Sequence, residues 1–138
     1  MTPAMKNRTA LIMLGMIVAL FSCAHRQLTL PEPAPSATNA SQVNIIRENR
    51  FFGFGLALKV MLDDATICSL RAGEYVTFAV EPGFHSLGLS ESRITVPFAA
   101  KRNYYFVIRT SPDEFGFEIE RIDDRKGAYL VSTSKIFE

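Results

Sequence analysis

From Val43 onward, apolar residues recur at every second position, in short runs broken by turn residues about every eight to twelve positions. A period of two puts alternate side chains on opposite faces of an extended chain, so this stretch reads as a succession of half-buried strands. The first covers residues 43–47. Leu56, Leu58, Val60 and Leu62 then alternate with Ala57, Lys59 and Met61, and Asp63-Asp64-Ala65 turns the chain into residues 66–70, which makes a hairpin. Val76, Phe78 and Val80 share one face of the next run, and Glu81-Pro82-Gly83 has proline and glycine in favoured turn positions. His85, Leu87 and Leu89 follow, then Ile94, Val96 and Phe98. Pro97 has no N–H for a ladder, so that last run is expected at a sheet edge or a bulge. Residues 104–110 are the most β-prone run, and Phe115, Phe117 and Ile119 alternate with Gly116, Glu118 and Glu120. The tail is open to two readings: Asp123 caps a short helix, or residues 128–132 form a last strand. Seven to nine short antiparallel strands in one domain, residues 43–138, predict an all-β fold, a small antiparallel β-sandwich or small barrel.

A chain of 138 residues with this organisation holds one core. At the domain's size only about 60–65% of the unfolded surface is buried, which predicts modest stability and little material for a deep active site. The chain carries 15 Lys and Arg against 14 Asp and Glu, and loss of Lys6 and Arg8 with a leader would leave 13 against 14. A near-neutral surface gives no electrostatic basis for binding nucleic acid. There are two cysteines, and lipid on Cys23 would leave Cys68 without a partner in the chain, so a disulfide framework is not expected.

The N-terminus reads as an export address. Residues 1–9 contain Lys6 and Arg8 and no acid, and residues 10–21 (ALIMLGMIVALF) form an apolar run, the n-region and h-region of a secretory signal. The run is too short for a transmembrane helix, which needs about 20 apolar residues. It ends in Leu20-Phe21-Ser22-Cys23, which offers a thiol at the membrane face, a small residue before it and an aliphatic residue at minus three. This predicts a lipoprotein signal peptide over residues 1–22 and lipid, palmitate among it, on Cys23. Phe21 departs from the pattern, which usually has a small or β-branched residue there. Ser22-Cys23-Ala24 is also a small-x-small site at which ordinary signal peptidase could cut after Ala24, giving a soluble periplasmic or secreted protein. Several acyl chains at about 0.8 kcal/mol per buried methylene anchor a protein permanently, where a single chain is marginal.

Residues 23–42 turn to Pro31, Pro33, Pro35 and a Ser/Thr/Asn/Ala mixture, with almost nothing to bury after Leu30. They read as a flexible, proline-rich linker. Its reach at about 3.1 Å per residue is on the order of 50 Å, enough to stand the domain off the membrane.

Three clusters, Leu70-x-x-Gly73-x-Tyr75, Val80-x-Pro82-Gly83-x-His85 and Asn103-Tyr104-Tyr105, give residues 43–125 a resemblance to PEGA-type domains. With the leader and lipobox, the chain is similar to a family of short bacterial lipoproteins of unknown function. The resemblance implies an immunoglobulin-like or prealbumin-like sandwich and brings no catalytic residues. The chain departs from it in two turns: Asp63-Asp64-Ala65 stands where an Asp-Gly pair is usual, and Lys101 where a glycine is usual. Ala24 is not the aspartate that retains enterobacterial-type lipoproteins in the inner membrane. That resemblance implies the outer membrane, facing the periplasm, if the source is Gram-negative.

Candidate chemistry is sparse. His85 is the only histidine of the domain, and no HExxH, CxxC or histidine pair accompanies it, so it is expected to pack beside a turn. Ser86 and Ser90 sit in no nucleophile elbow. Cys68, mid-strand, is expected to be a small buried hydrophobe, with an intermolecular disulfide as the alternative. Glu118 and Glu120 share a strand face about 7 Å apart, within reach of a glycosidase pair, but two acids opposite Phe117 and Ile119 are what any half-buried strand shows. Asp63-Asp64, Asp113-Glu114 and Asp123-Asp124 are turn acids without the spacing of a calcium loop. Gly53-Phe54-Gly55 lacks the helix and Lys-Ser/Thr of a phosphate loop. No catalytic residue, metal ligand or cofactor is assigned. Phe51, Phe52 and Phe54 are the most unusual group. They are either an exposed contact for a partner or the plug of the sandwich's open end.

These features predict a non-catalytic, lipid-anchored cell-envelope protein that contacts the membrane through Cys23 and works as an interaction or scaffolding module. The alternative is a peptidoglycan- or glycan-binding module, with Tyr75, Tyr104 and Tyr105 as the stacking surface in a chain without tryptophan.

Overall fold

A computed structural model describes residues 26–32, 35–36, 38–50, 55–112 and 116–138. Nine strands and one helix are found among them. β1 (Ser41–Arg47) is followed by the hairpin of β2 (Leu58–Leu62) and β3 (Ala65–Leu70). Next come β4 (Glu74–Val80), β5 (Gly83–Gly88), β6 (Arg93–Phe98), β7 (Asn103–Thr110) and β8 (Phe117–Ile122). Helix α1 (Asp124–Thr133) and the short β9 (Lys135–Ile136) end the chain.

The strands form two sheets, ordered β8-β7-β1-β4-β9 and β3-β2-β5-β6. Their inner faces meet in one core. Val43 and Ile45 of β1, Val76, Phe78 and Val80 of β4, and Phe106 and Ile108 of β7 face Val60, Leu62, Leu70, Leu87, Val96 and Phe98. The all-β sandwich expected from the alternation is therefore present. The smaller sheet is antiparallel throughout. The larger one is mixed, because β1 runs parallel to β7 and β4 runs parallel to β9. Parallel neighbours cannot be joined by a hairpin and need a crossover. Here the chain visits the other sheet between β1 and β7, a long-range arrangement that local turn signals do not encode.

Turn chemistry accounts for the connections. Asp63 and Asp64 both have positive φ, 52° and 62°, in a two-residue loop closed by the Leu62–Ala65 pair, the type I′ geometry that suits strand twist. Lys101, also at positive φ (56°), turns the chain between β6 and β7. These three are the only non-glycine residues at positive φ among the described residues. Pro97 lies on β6, an edge strand, as its missing donor requires. The β2–β3 register shifts between Val60 and Met61, and this irregularity lets both Ile67 and Cys68 of β3 reach buried positions.

Asp123 settles the ambiguous tail as a helix. Its side chain accepts the Lys126 N–H at 2.9 Å, and Asp124 adds negative charge to the first turn. The helix packs on β7 and β1 and covers the outer face of the larger sheet, where Ile46, Val107 and Ile122 are buried. Its approach is close: a Cβ on Gly127 would lie 2.2 Å from Cγ of Tyr105. Because both faces are covered, the central part of β1 reads as a continuous buried run and not as an alternation.

The N-terminal segment differs from expectation. Residues 26–30 lie on the sandwich: the Thr29 N–H donates to the Ile67 carbonyl at 2.8 Å, and Leu28 and Leu30 pack against the core. Burial alternates along Arg26-Gln27-Leu28-Thr29-Leu30, as along a strand. The proline-rich stretch follows this docked strip, so its length cannot separate the domain from Cys23, and the expected reach of about 50 Å is not available.

Candidate functional site

The most developed polar arrangement is where the strip meets the fold. β3 and β9 are edge strands of opposite sheets, and Arg26 reaches across the gap between them. Its guanidinium donates from Nη1 to Glu74 Oε2 at 2.8 Å and from Nη2 to Glu74 Oε1 at 2.6 Å, a bidentate pair. Nη1 also donates to the Ser69 carbonyl at 3.1 Å, and the guanidinium lies 4.9 Å from the centroid of the Phe137 ring. Glu74 begins β4 and accepts the Arg71 N–H at 2.8 Å. Phe137 is held by its N–H on the Tyr75 carbonyl at 2.7 Å, directly after β9. Strip, β3, β4 and the end of the chain thus share one clamp. Hydrogen bonding to Arg26 holds the Glu74 carboxyl below the usual carboxylate range, against an opposing effect of partial burial. In return the Glu74 hydrogen bonds raise the Arg26 guanidinium above its ordinary value.

A second arrangement closes one end of the sandwich. Arg47 is 2% exposed, donates to the Leu70 carbonyl at 2.7 Å and to the Leu56 carbonyl, and lies 5.2 Å from the Phe117 ring centroid. Burial lowers its pKa, with Glu74 opposing. Two concavities adjoin these groups. A small one of about 210 Å³ lies beneath Leu30, Pro31 and Pro35, beside Asp63 and His85. A wider cleft of about 590 Å³ runs between α1 and the end of β1, with Asn49, Gly73, Tyr129 and Thr133 in its walls.

His85 ties turns together, as its position beside Pro82-Gly83 suggested. Nδ1 is 2.5 Å from Asp63 Oδ2 and Nε2 is 2.8 Å from the Glu81 carbonyl, while Asp63 Oδ1 accepts the Ser86 N–H at 3.0 Å. Cys68 is in the core, 4% exposed, and burial pushes its thiol up to about 12, far from a reactive thiolate at neutral pH. Glu118 and Glu120 flank Arg109 on the neighbouring strand. Glu118 pairs with it in register, and Glu120 Oε2 is 3.1 Å from its Nη1, so Glu120 is ion-paired across the sheet. Tyr104 is buried, with its hydroxyl accepting the Ala99 N–H at 2.8 Å, and Tyr105 lies against Gly127 under the helix. Tyr104 offers no free stacking face, Tyr75 and Tyr105 are half-buried, and Tyr129 is 66% exposed on α1.

Cys23, Phe51, Phe52 and Phe54 lie outside the described residues. Among those described, no three His, Cys, Asp or Glu side chains are grouped to hold a metal ion, and no helix is long and apolar enough to cross a membrane. The sequence reading missed Arg26, Glu74 and Phe137. The signal available for Arg26 was the short alternation ending at Leu30, masked by the composition of the prolines after it. No family model, curated protein or solved structure matches this chain.

Proposed function

We propose that this chain is a lipid-anchored protein of the bacterial cell envelope, held through Cys23 and presenting its sandwich as a non-catalytic interaction module. The leader and lipobox support the anchor, with the outer membrane facing the periplasm as the site that Ala24 favours. The observation that carries the reading is the docking of Arg26 on Glu74, three residues after Cys23: cleavage before Cys23 keeps this clamp on the mature chain and places the lipid three residues from it. The polar side chains described above serve packing and closure: His85 and Asp63 hold turns, Arg26 and Glu74 hold a strip, and Arg47 caps a core. None of these sets combines a nucleophile, a base and an orienting group.

Metabolic labelling with a palmitate analogue tests the anchor. Wild-type protein is expected to carry label and fractionate with membranes, and Cys23→Ala to lose both. An unlabelled mature form starting at His25 overturns the reading. Crosslinking in cells with mass spectrometry then identifies the partner, and turnover of a cell-wall fragment by the purified protein would overturn the non-catalytic role.

A further inference from the structure

We infer that the side of the sandwich carrying β3, β9 and the Arg26 clamp lies on the phospholipid surface, with Ile136 at the headgroup boundary. This rests on the lipid anchor proposed above and adds an orientation to it. The argument is one of reach. Three peptide steps separate Cys23 from Arg26, and an extended chain spans at most about 3.6 Å per residue, so the two Cα atoms are no more than about 11 Å apart. A domain of about 100 residues has a radius of gyration of about 13 Å, hence a diameter well above that reach. A lipidated Cys23 therefore cannot extend around the domain, and the side on which Arg26 is fixed must face the bilayer. The proline segment gives no slack, because it lies beyond the docked strip.

The chemistry of that side suits a lipid surface. Ile136 is one of four large hydrophobic residues exposed among those described, at 55%, and it sits between exposed Lys135 and Phe137, whose ring lies under Arg26. Phe137 turns its ring to the core, and Ile136, alternating with it, stays exposed on an edge strand that also carries exposed Lys135: an aliphatic side chain and a cation on one edge suit the boundary where the apolar part enters and the cation stays with the phosphates. The opposite side, formed by β6 and β8, is directed away from the bilayer and is left for a partner in the envelope.

The chain has no tryptophan, so a single introduced one reports alone. Full-length lipidated Ile136→Trp and Phe84→Trp proteins are reconstituted in phosphatidylethanolamine and phosphatidylglycerol vesicles, with or without acyl chains brominated near the headgroup. Phe84, 78% exposed on β5 and paired with Pro97 of β6, is the distant control. Ile136→Trp is expected to lose most of its emission to the brominated lipid, and Phe84→Trp to keep nearly all of it. Adding Arg26→Ala and Leu28→Ser to Ile136→Trp, which frees the strip, is expected to restore emission while the palmitate label remains. Equal quenching at both positions, or quenching of Ile136→Trp that survives release of the strip, overturns the orientation with the anchor intact. Loss of label and vesicle association in the wild type instead overturns the anchor itself.

Discussion

The two open sides of the sandwich are closed by different means. Where β6 meets β8, an aromatic cluster drawn from nearby sequence fills the gap: Phe98 packs edge-to-face on Tyr104 at 4.8 Å and on Phe106 at 6.2 Å, and Arg121 lies 4.7 Å from the Tyr104 centroid. Where β3 meets β9, the closure comes from residues far apart in the chain, Arg26, Glu74 and Phe137, with Leu28 and Leu30 laid over the core. The first side is mostly aromatic and is made by β6, β7 and β8, which follow one another in the chain. The second is charged, partly exposed and complete only when residues 26–30 and Phe137 have both docked. A side of the second kind can be opened without unfolding the rest, and it is the one next to the proposed anchor.

The largest expected effect comes from breaking the aromatic side. Phe98 is 3% exposed, and Phe98→Ala leaves a cavity among three ring neighbours that the surrounding strands cannot fill, at a cost of about 3–5 kcal/mol. Urea or thermal melts of the protein check this, and a loss below that of Arg26→Ala would reverse the ranking of the two sides.

Arg26→Ala breaks the other side. It is expected to cost about 1–2 kcal/mol, toward the low end for hydrogen bonds to a charged group, because both partners keep some contact with water. Protease sensitivity should rise at residues 26–30 while the core stays protected. The clamp also sets a pH dependence of definite sign. The Glu74 carboxyl is held below its ordinary 4.5 in the folded state, so the unfolded chain binds more protons there as the medium is acidified. The contribution of the clamp is full above about 4.5 and is lost as pH falls through the lower folded value. The melting difference between wild type and Arg26→Ala should therefore shrink in that acid range, and a difference that stays constant would place the stabilisation in packing on Phe137 instead.

The strands and the sandwich were legible because one face of most strands is buried and the alternation records it. Pro97 announced its edge, and the Pro82-Gly83 turn with His85 was placed by local chemistry alone. Three elements were hidden for physical reasons. Helix α1 has Gly127 as its only buried residue and so carries no apolar stripe, leaving the Asp123 cap as its one sign. β9 is two residues long, too short for a period. Arg26 was hidden by averaging, since three prolines downstream give the whole segment the composition of a linker. Strand order in the larger sheet is a long-range property, which no run of neighbours encodes.

The smallest effect is a gain, and it sharpens the comparison at the connection that feeds the aromatic side. Lys101 turns the chain between β6 and β7 at φ 56°, where a β-carbon crowds the following carbonyl at a cost of about 1–2 kcal/mol. Lys101→Gly removes that crowding but returns part of the gain through the greater freedom of glycine in the unfolded chain, about 0.5–1 kcal/mol. The expected net is about 0.5–1 kcal/mol of added stability, read as a higher melting temperature. Asp64→Gly, at a similar φ of 62°, should gain less, because aspartate tolerates this region and its Oδ1 accepts a 2.8 Å hydrogen bond from Arg93 Nη1 that glycine would forfeit. If Asp64→Gly gains as much as Lys101→Gly, the Arg93 pair contributes nothing measurable and the two turns are equivalent. If Lys101→Gly destabilises, the lysine side chain itself supports the turn, and the closure of the aromatic side depends on more than its rings.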